Sequence, residues 1–174
     1  MTGEKHTPAE TIVWLLDFAP SDFWLDGGWG VDALIGRQTR QHEDIDIVIE
    51  QSEAKNLVPR LLAEGVVEFQ RDDTRACNFV LGCTQRGLID FHLINFDARG
   101  DGLYGIPETE GVYPAEAFTG RGNVLGSPVR CMSVAFQVAS HDTGYFPRDK
   151  DHADMRARAD AFSVSLPARY AENR

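Results

Sequence analysis

The sequence is short of the residues that mark several classes of protein. Only three of its 174 residues are cysteines. They lack the spacing of a metal site, so we expect reduced thiols. No apolar run reaches the ~18 residues that a membrane helix needs. The first residues lack the basic-then-apolar order of a secretory signal. Together these absences predict a cytoplasmic protein without a membrane partner.

Positive charge is also scarce. The chain has 27 acidic and 17 basic residues, a net charge of −10, and only three of the basic residues are lysines. Proteins that bind nucleic acid duplexes normally present a basic surface, so we expect no nucleic-acid partner. A local cluster of arginines can still bind a polyanion, and the acidic field attracts cationic small molecules.

Length and composition predict one globular domain spanning residues 1–174, since 43% of the residues are hydrophobic and 25% are charged. Alternating or apolar runs predict strands at residues 44–49 and 88–96. Helical patterns are found at residues 52–64 and 149–162, with only a short helical turn at residues 31–35. Residues 97–128 are rich in glycine and proline and predict a long loop or a set of short hairpins.

A pair of aspartates stands on the first of these predicted strands. Asp44 and Asp46 are separated by one residue, and strand side chains alternate, so both carboxylates lie on one face. Two adjacent carboxylates repel each other unless positive charge lies between them. Mg²⁺ prefers oxygen ligands and often combines one or two carboxylates with substrate phosphates. The pair therefore indicates a magnesium site, with a solvated strand face as the alternative.

Two further features give this pair a context. Gly27 and Gly28 precede the short helical turn, where a glycine pair lets backbone N–H groups approach a phosphate. Asp90 interrupts the apolar run at residues 88–94 and shares a strand face with His92. A buried carboxylate is costly without a partner or a role, and burial raises its pKa. We expect Asp90 to be a third metal ligand or a general base, with an exposed edge strand as the alternative.

The order of these motifs resembles the nucleotidyltransferases of the DNA polymerase β type. At closer range, residues 27–46 resemble the small antibiotic nucleotidyltransferases, which comprise short-type lincosamide nucleotidyltransferases and aminoglycoside 2″-nucleotidyltransferases. Weaker matches follow in the expected order at residues 89–92, 120–122, 126–131, 141–145 and 148–154. The Phe91-His92 pair favours the lincosamide branch. The resemblance implies an α/β fold in which a small mixed sheet carries the carboxylates and helices pack on one side.

The resemblance also implies an activity and its residues. Enzymes of this family transfer AMP from ATP to a hydroxyl of the drug, with Mg²⁺, and release pyrophosphate. The implied partners are therefore a small-molecule antibiotic and a nucleoside triphosphate, and a homodimer is left open. The implied roles are metal binding for Asp44, Asp46 and Asp90, catalysis as a base for Asp90, nucleotide binding for Gly27, Gly28, Arg40, His42 and Lys150, and acceptor contact for His92.

Three other functions have to be weighed. The acceptor could be an aminoglycoside, and small nucleotidyltransferase-like proteins also serve as antitoxins paired with a toxin. A dinucleotide-binding domain is the third, since Gly28, Gly30 and Ala33 fit a G-x-G-x-x-A fingerprint and Glu50 lies 22 residues after Gly28. The helix predicted after the glycines is too short for a dinucleotide-binding domain, and the aspartate pair would have no role in one. Both features therefore disfavour this alternative. A P-loop is excluded because no lysine follows a glycine.

Overall fold

The computed structural model describes residues 5–18, 22–105, 111–141 and 149–171. Within these ranges, nine strands form one mixed sheet. The strands are β1 (Phe23–Leu25), β2 (Asp44–Glu50), β3 (Val67–Phe69), β4 (Asn78–Cys83), β5 (Gly87–Phe96), β6 (Gly102–Tyr104), β7 (Val112–Tyr113), β8 (Gly120–Val124) and β9 (Ser127–Cys131). The helices are α1 (Pro8–Phe18), α2 (Gly27–Ile35), α3 (Gln51–Ala63), α4 (Val134–His141), α5 (Asp149–Phe162) and α6 (Ala168–Ala171), with a 3₁₀ helix at Ala115–Thr119.

The sheet has the order β3-β4-β5-β2-β1-β9-β8, and β6 joins β5 to β7. Strands β2 and β5 lie side by side and run parallel, whereas β4 and β5 are antiparallel. The register of the parallel pair places Asp46 directly opposite Asp90. Because β5 is flanked by β2 and β4, Asp90 lies in the interior of the sheet, and the alternative of an exposed edge strand is wrong.

One face of the sheet is covered by helices α1, α2 and α3. Strand β2 alternates, so that Ile45, Ile47 and Ile49 are buried on this face, and its aspartates point to the other. Burial of apolar area on this scale is the main stabilising contribution to such a fold. The predicted mixed sheet with helices on one side is therefore confirmed.

A second apolar cluster lies beyond the carboxylates, on the other face of the sheet. Val48 and Ile94 pack there with Trp24, Tyr104 and Phe118. Tyr104 stacks on the ring of Tyr113. The cluster closes one side of the carboxylate site with aromatic surface.

One local prediction needs correction. Helix α2 begins at Gly27 and not at residue 31, because the glycines of its first turn lie against other elements of the fold. For residues 97–128, the alternative of short hairpins is confirmed within the described residues, because β6 pairs antiparallel with β7 and β8 pairs antiparallel with β9. The three cysteines are free thiols, as expected. Among the described residues no helix has both the length and the apolar character needed to cross a membrane.

Candidate active site

The site is built where two parallel strands present carboxylates on the same face. Asp46 of β2 and Asp90 of β5 are register partners, and His92 stands two residues further along β5. One side-chain atom from each of these three residues lies within 4.8 Å of the others. The sheet thus fixes two oxygen ligands and one nitrogen ligand on rigid, neighbouring strands.

The Asp90 carboxylate is the most enclosed of these groups. Asp90 is only 7% exposed, and its Oδ1 atom has no hydrogen-bond partner among the described residues. Burial raises the pKa of Asp90 to about 6, the charge of His92 opposes this, and the neighbouring Asp46 adds to it. The expected rise of this pKa is confirmed. A buried oxygen without a partner is a polar atom that a ligand can satisfy.

The His92 ring joins the carboxylates to a polar network. Its Nε2 atom lies 3.7 Å from Oδ1 of Asp46 and 3.9 Å from Oδ1 of Asp90. Burial works against a charged ring, but the contact with Asp46 and the charge of Asp90 outweigh it and raise the pKa of His92. On its other side, Nδ1 lies 3.5 Å from the hydroxyl of Tyr104, which donates to Asn78 Oδ1 at 3.0 Å.

An arginine from the turn between β3 and β4 bridges two of the carboxylates. Arg71 Nη2 donates to Asp44 Oδ2 at 2.9 Å, and Nη1 donates to Asp90 Oδ2 at 3.0 Å. Asp44 lies on the same face as Asp46 but outside the close group that Asp46 forms with Asp90 and His92. Arg71 therefore supplies the positive charge that adjacent carboxylates require in this structure.

The N-terminus of α2 approaches the carboxylates from the adjoining loop. Gly27 has a φ of +53°, and a Cβ atom added to it would overlap Oδ2 of Asp46. Asp26 precedes the helix and donates its backbone N–H to the carbonyl of Asp46 at 3.0 Å. Only glycine can combine this left-handed conformation with such a close approach. The first N–H groups of α2 consequently lie next to Asp46.

The next glycine is covered by two basic side chains. A Cβ atom added to Gly28 would overlap the ring of His42 at Nδ1 and would lie 2.9 Å from Nη2 of Arg40. His42 is held from behind, where its Nε2 atom lies 2.5 Å from Oδ2 of Asp32. Four of the residues predicted to bind phosphate therefore lie together at the start of α2. They are Gly27, Gly28, Arg40 and His42.

The chain matches the sequence model of a family described as aminoglycoside-2''-adenylyltransferase over residues 10–157. The chain belongs to this family. The lincosamide resistance protein of Staphylococcus haemolyticus is 30% identical over 146 residues, which is 83% of this chain and 88% of that protein. The 2''-aminoglycoside nucleotidyltransferase of Escherichia coli is 58% identical over 24 residues, 14% of each chain.

Solved structures agree with this aminoglycoside-2''-adenylyltransferase family membership. The crystal structure of lincosamide antibiotic adenylyltransferase LnuA with lincomycin bound is 27% identical, with a TM-score of 0.75, and the match covers 91% of this chain and 99% of that one. The structure of ANT(2")-Ia with adenylyl-2"-tobramycin is 22% identical with a TM-score of 0.63, over 87% and 85% of the chains, a likeness of fold. The predicted enzyme class, a nucleotidyltransferase, is confirmed.

Within this adenylyltransferase fold, nearly all the predicted site residues gather around the first half of β2 and the part of β5 that pairs with it. Asp46, Asp90 and His92 form the close group, Asp44 joins it through Arg71, and the phosphate-binding candidates surround the start of α2. Lys150 belongs to α5, but its side chain lies outside the described residues. The predicted roles of all these residues remain predictions.

Sequence reasoning missed three side chains of the site. Arg71 follows no periodic pattern, and nothing in its neighbourhood distinguishes it from a surface arginine. Tyr104 belongs to residues 97–128, which were interpreted as a long loop or a set of short hairpins, and it carried no signal of a site residue. Asp32 did carry a signal, because it is an acid in the apolar helix of residues 27–35 and is only 2% exposed. That is the same kind of signal that identified Asp90.

Proposed function

We propose that this protein transfers AMP from ATP to a hydroxyl of a lincosamide, with Mg²⁺, and releases pyrophosphate. The observation that carries the proposal is the pairing of Asp46 with Asp90 across β2 and β5, beside the glycine-rich start of α2. Carboxylates that bind a divalent cation and a helix N-terminus that accepts phosphate are the two parts that a nucleotidyl transfer site needs.

The residues present fit a divalent cation. Asp90 offers a buried oxygen without a partner in the described chain, and Asp46 and His92 offer atoms within 4.8 Å of it. Asp44 would complete the set, once Arg71 moves off its carboxylate. When bound, the cation would neutralise charge on the triphosphate and on the attacking oxygen. Mg²⁺ favours oxygen donors, so we assign the metal to the three aspartates and leave His92 to orient them or to meet the acceptor.

The chain's own groups would then position the nucleotide. The first N–H groups of α2 and the side chains of Arg40 and His42 face one side of Gly28, where the triphosphate would lie. Gly27 leaves the space that brings this phosphate against Asp46. Catalysis would come mainly from positioning and from stabilisation of charge, as in phosphoryl transfer generally.

Asp90 is the proposed base. It would take the proton of the acceptor hydroxyl while that oxygen forms a bond to the α-phosphorus, and the bond from that phosphorus to the oxygen shared with the β-phosphate breaks. The leaving pyrophosphate keeps the bonding electron pair. A carboxyl whose pKa is raised to about 6 is a stronger base than an ordinary aspartate and is still largely ionised at neutral pH.

The choice of a lincosamide follows from the extent of the likenesses. The lincosamide resistance protein matches 83% of this chain, and the lincomycin-bound enzyme matches 91% of it with a TM-score of 0.75. The 2''-aminoglycoside nucleotidyltransferase matches over 24 residues. The net charge of −10 suits a cationic acceptor of either class.

A panel assay tests the proposal. The protein is incubated with ATP, Mg²⁺ and either lincosamides or aminoglycosides, and the drugs are analysed by mass spectrometry. We expect one adenylyl group on a lincosamide. Modification of aminoglycosides alone would favour the second candidate acceptor, for which the family model provides support. No modified drug, together with a co-purified partner protein, would favour an antitoxin. Light scattering of the same sample tests the homodimer.

A further inference from the structure

A buried acid lies behind the phosphate-binding candidates without any assigned role. Asp32 belongs to α2, and its side chain is only 1% exposed. Its Oδ1 atom accepts from the hydroxyl of Thr39 at 2.5 Å, and its Oδ2 atom lies 2.5 Å from Nε2 of His42. Both carboxylate oxygens are thus occupied by residues of the loop that leads into β2. A carboxylate is expensive to bury, and these contacts offset that cost.

The effect of this contact is to orient the His42 ring. The ring is 3% exposed and packs beside Trp29, with 5.1 Å between the ring centres. With Nε2 turned to Asp32, Nδ1 faces Gly28 at the start of α2 and has no hydrogen-bond partner among the described residues. A nine-tenths buried side chain therefore directs an unpartnered polar atom at a helix N-terminus.

Two groups add positive potential at the same place, the start of α2. The guanidinium of Arg40 lies on the same side of Gly28, and the first N–H groups of a helix have no partners within the helix. Because Nε2 of His42 is directed to the carboxylate of Asp32, Nδ1 is the ring nitrogen that can donate to a phosphate oxygen above Gly28. The group that fits this position is a phosphate of a nucleoside triphosphate.

We propose that Asp32 is a positioning residue, which holds His42 through Nε2 so that Nδ1 donates to a phosphate of the bound triphosphate above Gly28. Thr39 fixes the other oxygen of Asp32 and acts in the same direction. The inference deepens the proposed function and rests on it, since the triphosphate is the nucleotide donor. It assigns Asp32 to binding of the polyphosphate and not to contact with the nucleoside or the acceptor.

The test is a double-mutant cycle on ligand binding, measured by calorimetry in Mg²⁺. The variants are Asp32→Asn, His42→Ala and the combination of both, and the probes are inorganic tripolyphosphate and adenosine. A charge-assisted hydrogen bond predicts that each single variant binds tripolyphosphate about tenfold more weakly. The double variant should be no weaker than His42→Ala, because Asp32 acts only through His42. Adenosine affinity should not change.

A merely structural role for Asp32 gives a different pattern. Asp32→Asn would then weaken the binding of tripolyphosphate and of adenosine alike. Alternatively, it would weaken tripolyphosphate binding by the same factor whether or not His42 is present. Either result overturns the proposal. If Asp32→Asn does not fold, Thr39→Val replaces it. We expect Thr39→Val to lower the affinity for tripolyphosphate about two- to threefold, and only when His42 is present. Asp97→Asn, which alters the turn after β5, is the matched control and should bind both probes normally.

The outcome also separates this inference from the proposed function. A protein that adenylylates a lincosamide, but whose Asp32 and His42 variants bind tripolyphosphate normally, would keep the function and refute the inference. A protein that binds tripolyphosphate with the predicted pattern, but modifies no antibiotic, would keep the inference and refute the function. Absence of tripolyphosphate binding by the unmodified protein would overturn the inference, whereas the panel assay alone decides the proposed function.

Discussion

Replacement of Arg71 by methionine should increase the affinity of the nucleotide-free protein for a divalent metal. Arg71 binds Asp44 at 2.9 Å and Asp90 at 3.0 Å, which are two of the proposed metal ligands. A metal that binds these carboxylates must displace the guanidinium. Methionine keeps much of the side-chain volume but cannot compete for the carboxylates.

The magnitude follows from the exposure of the two ion pairs. The Arg71 side chain is 35% exposed, so each contact is partly screened by solvent. Pairs of this kind contribute about 0.5–1 kcal/mol each, and together about 1–2 kcal/mol. Relief from that competition corresponds to metal affinity about five- to thirtyfold higher in Arg71→Met.

Binding of Mn²⁺, followed by electron paramagnetic resonance without nucleotide, provides the measurement. The matched control is Arg99→Met, since Arg99 also bridges two aspartates, Asp97 and Asp101, at 3.1 and 3.0 Å but away from the site. The control should bind Mn²⁺ like the unmodified protein. Equal or weaker binding by Arg71→Met would show that the arginine does not compete with metal for these carboxylates.

Two further predictions concern stability and space at the site. The pKa of Asp90 rises from 3.8 to about 6 on folding, so the folded protein holds this proton more tightly than the unfolded chain. The resulting contribution of Asp90 to the free energy of unfolding is complete below about pH 4 and is lost as the pH rises through about 6, a change of about 3 kcal/mol. Urea titrations in EDTA should show this loss in the unmodified protein and not in Asp90→Asn, and parallel pH profiles would contradict it. Gly27→Ala should abolish transfer, because the new Cβ overlaps the side chain of Asp46. Gly36 also has a positive φ but has open space around it, so Gly36→Ala should cost about 1 kcal/mol of stability and retain transfer. Comparable losses of kcat in both alanine variants would refute this steric argument.

The side-chain alternation of the strands made part of the site predictable. Asp44 and Asp46 are two residues apart on β2, and Asp90 interrupts an apolar run on β5, so each position could be recognised from local pattern. The alignment of Asp46 with Asp90 could not, because it depends on parallel pairing of strands separated by a helix and a hairpin. Arg71 was missed for a related reason, since a turn residue has no periodic constraint.

The start of α2 shows where local propensity fails. Glycine is a poor helix former, and the sequence Gly27-Gly28-Trp29-Gly30 therefore predicted a helix only from residue 31. In the structure the helix begins at Gly27, and neighbouring groups leave no room for a Cβ at Gly27, Gly28 or Gly30. Tertiary contacts with Asp46, His42 and the carbonyl of Leu25 thus outweigh the propensity of single residues.

The most direct test of the central claim is the rate at which Asp46→Asn adenylylates lincomycin with ATP and Mg²⁺, compared with the unmodified protein. We expect pyrophosphate and adenylyl-lincomycin in equal amounts from the unmodified protein. We expect Asp46→Asn to lose both products, while the metal-free fold of this variant is as stable or slightly more stable because carboxylate repulsion is relieved. Near-normal turnover by a folded Asp46→Asn variant would contradict the assignment of the carboxylates of β2 and β5 as the centre of this reaction.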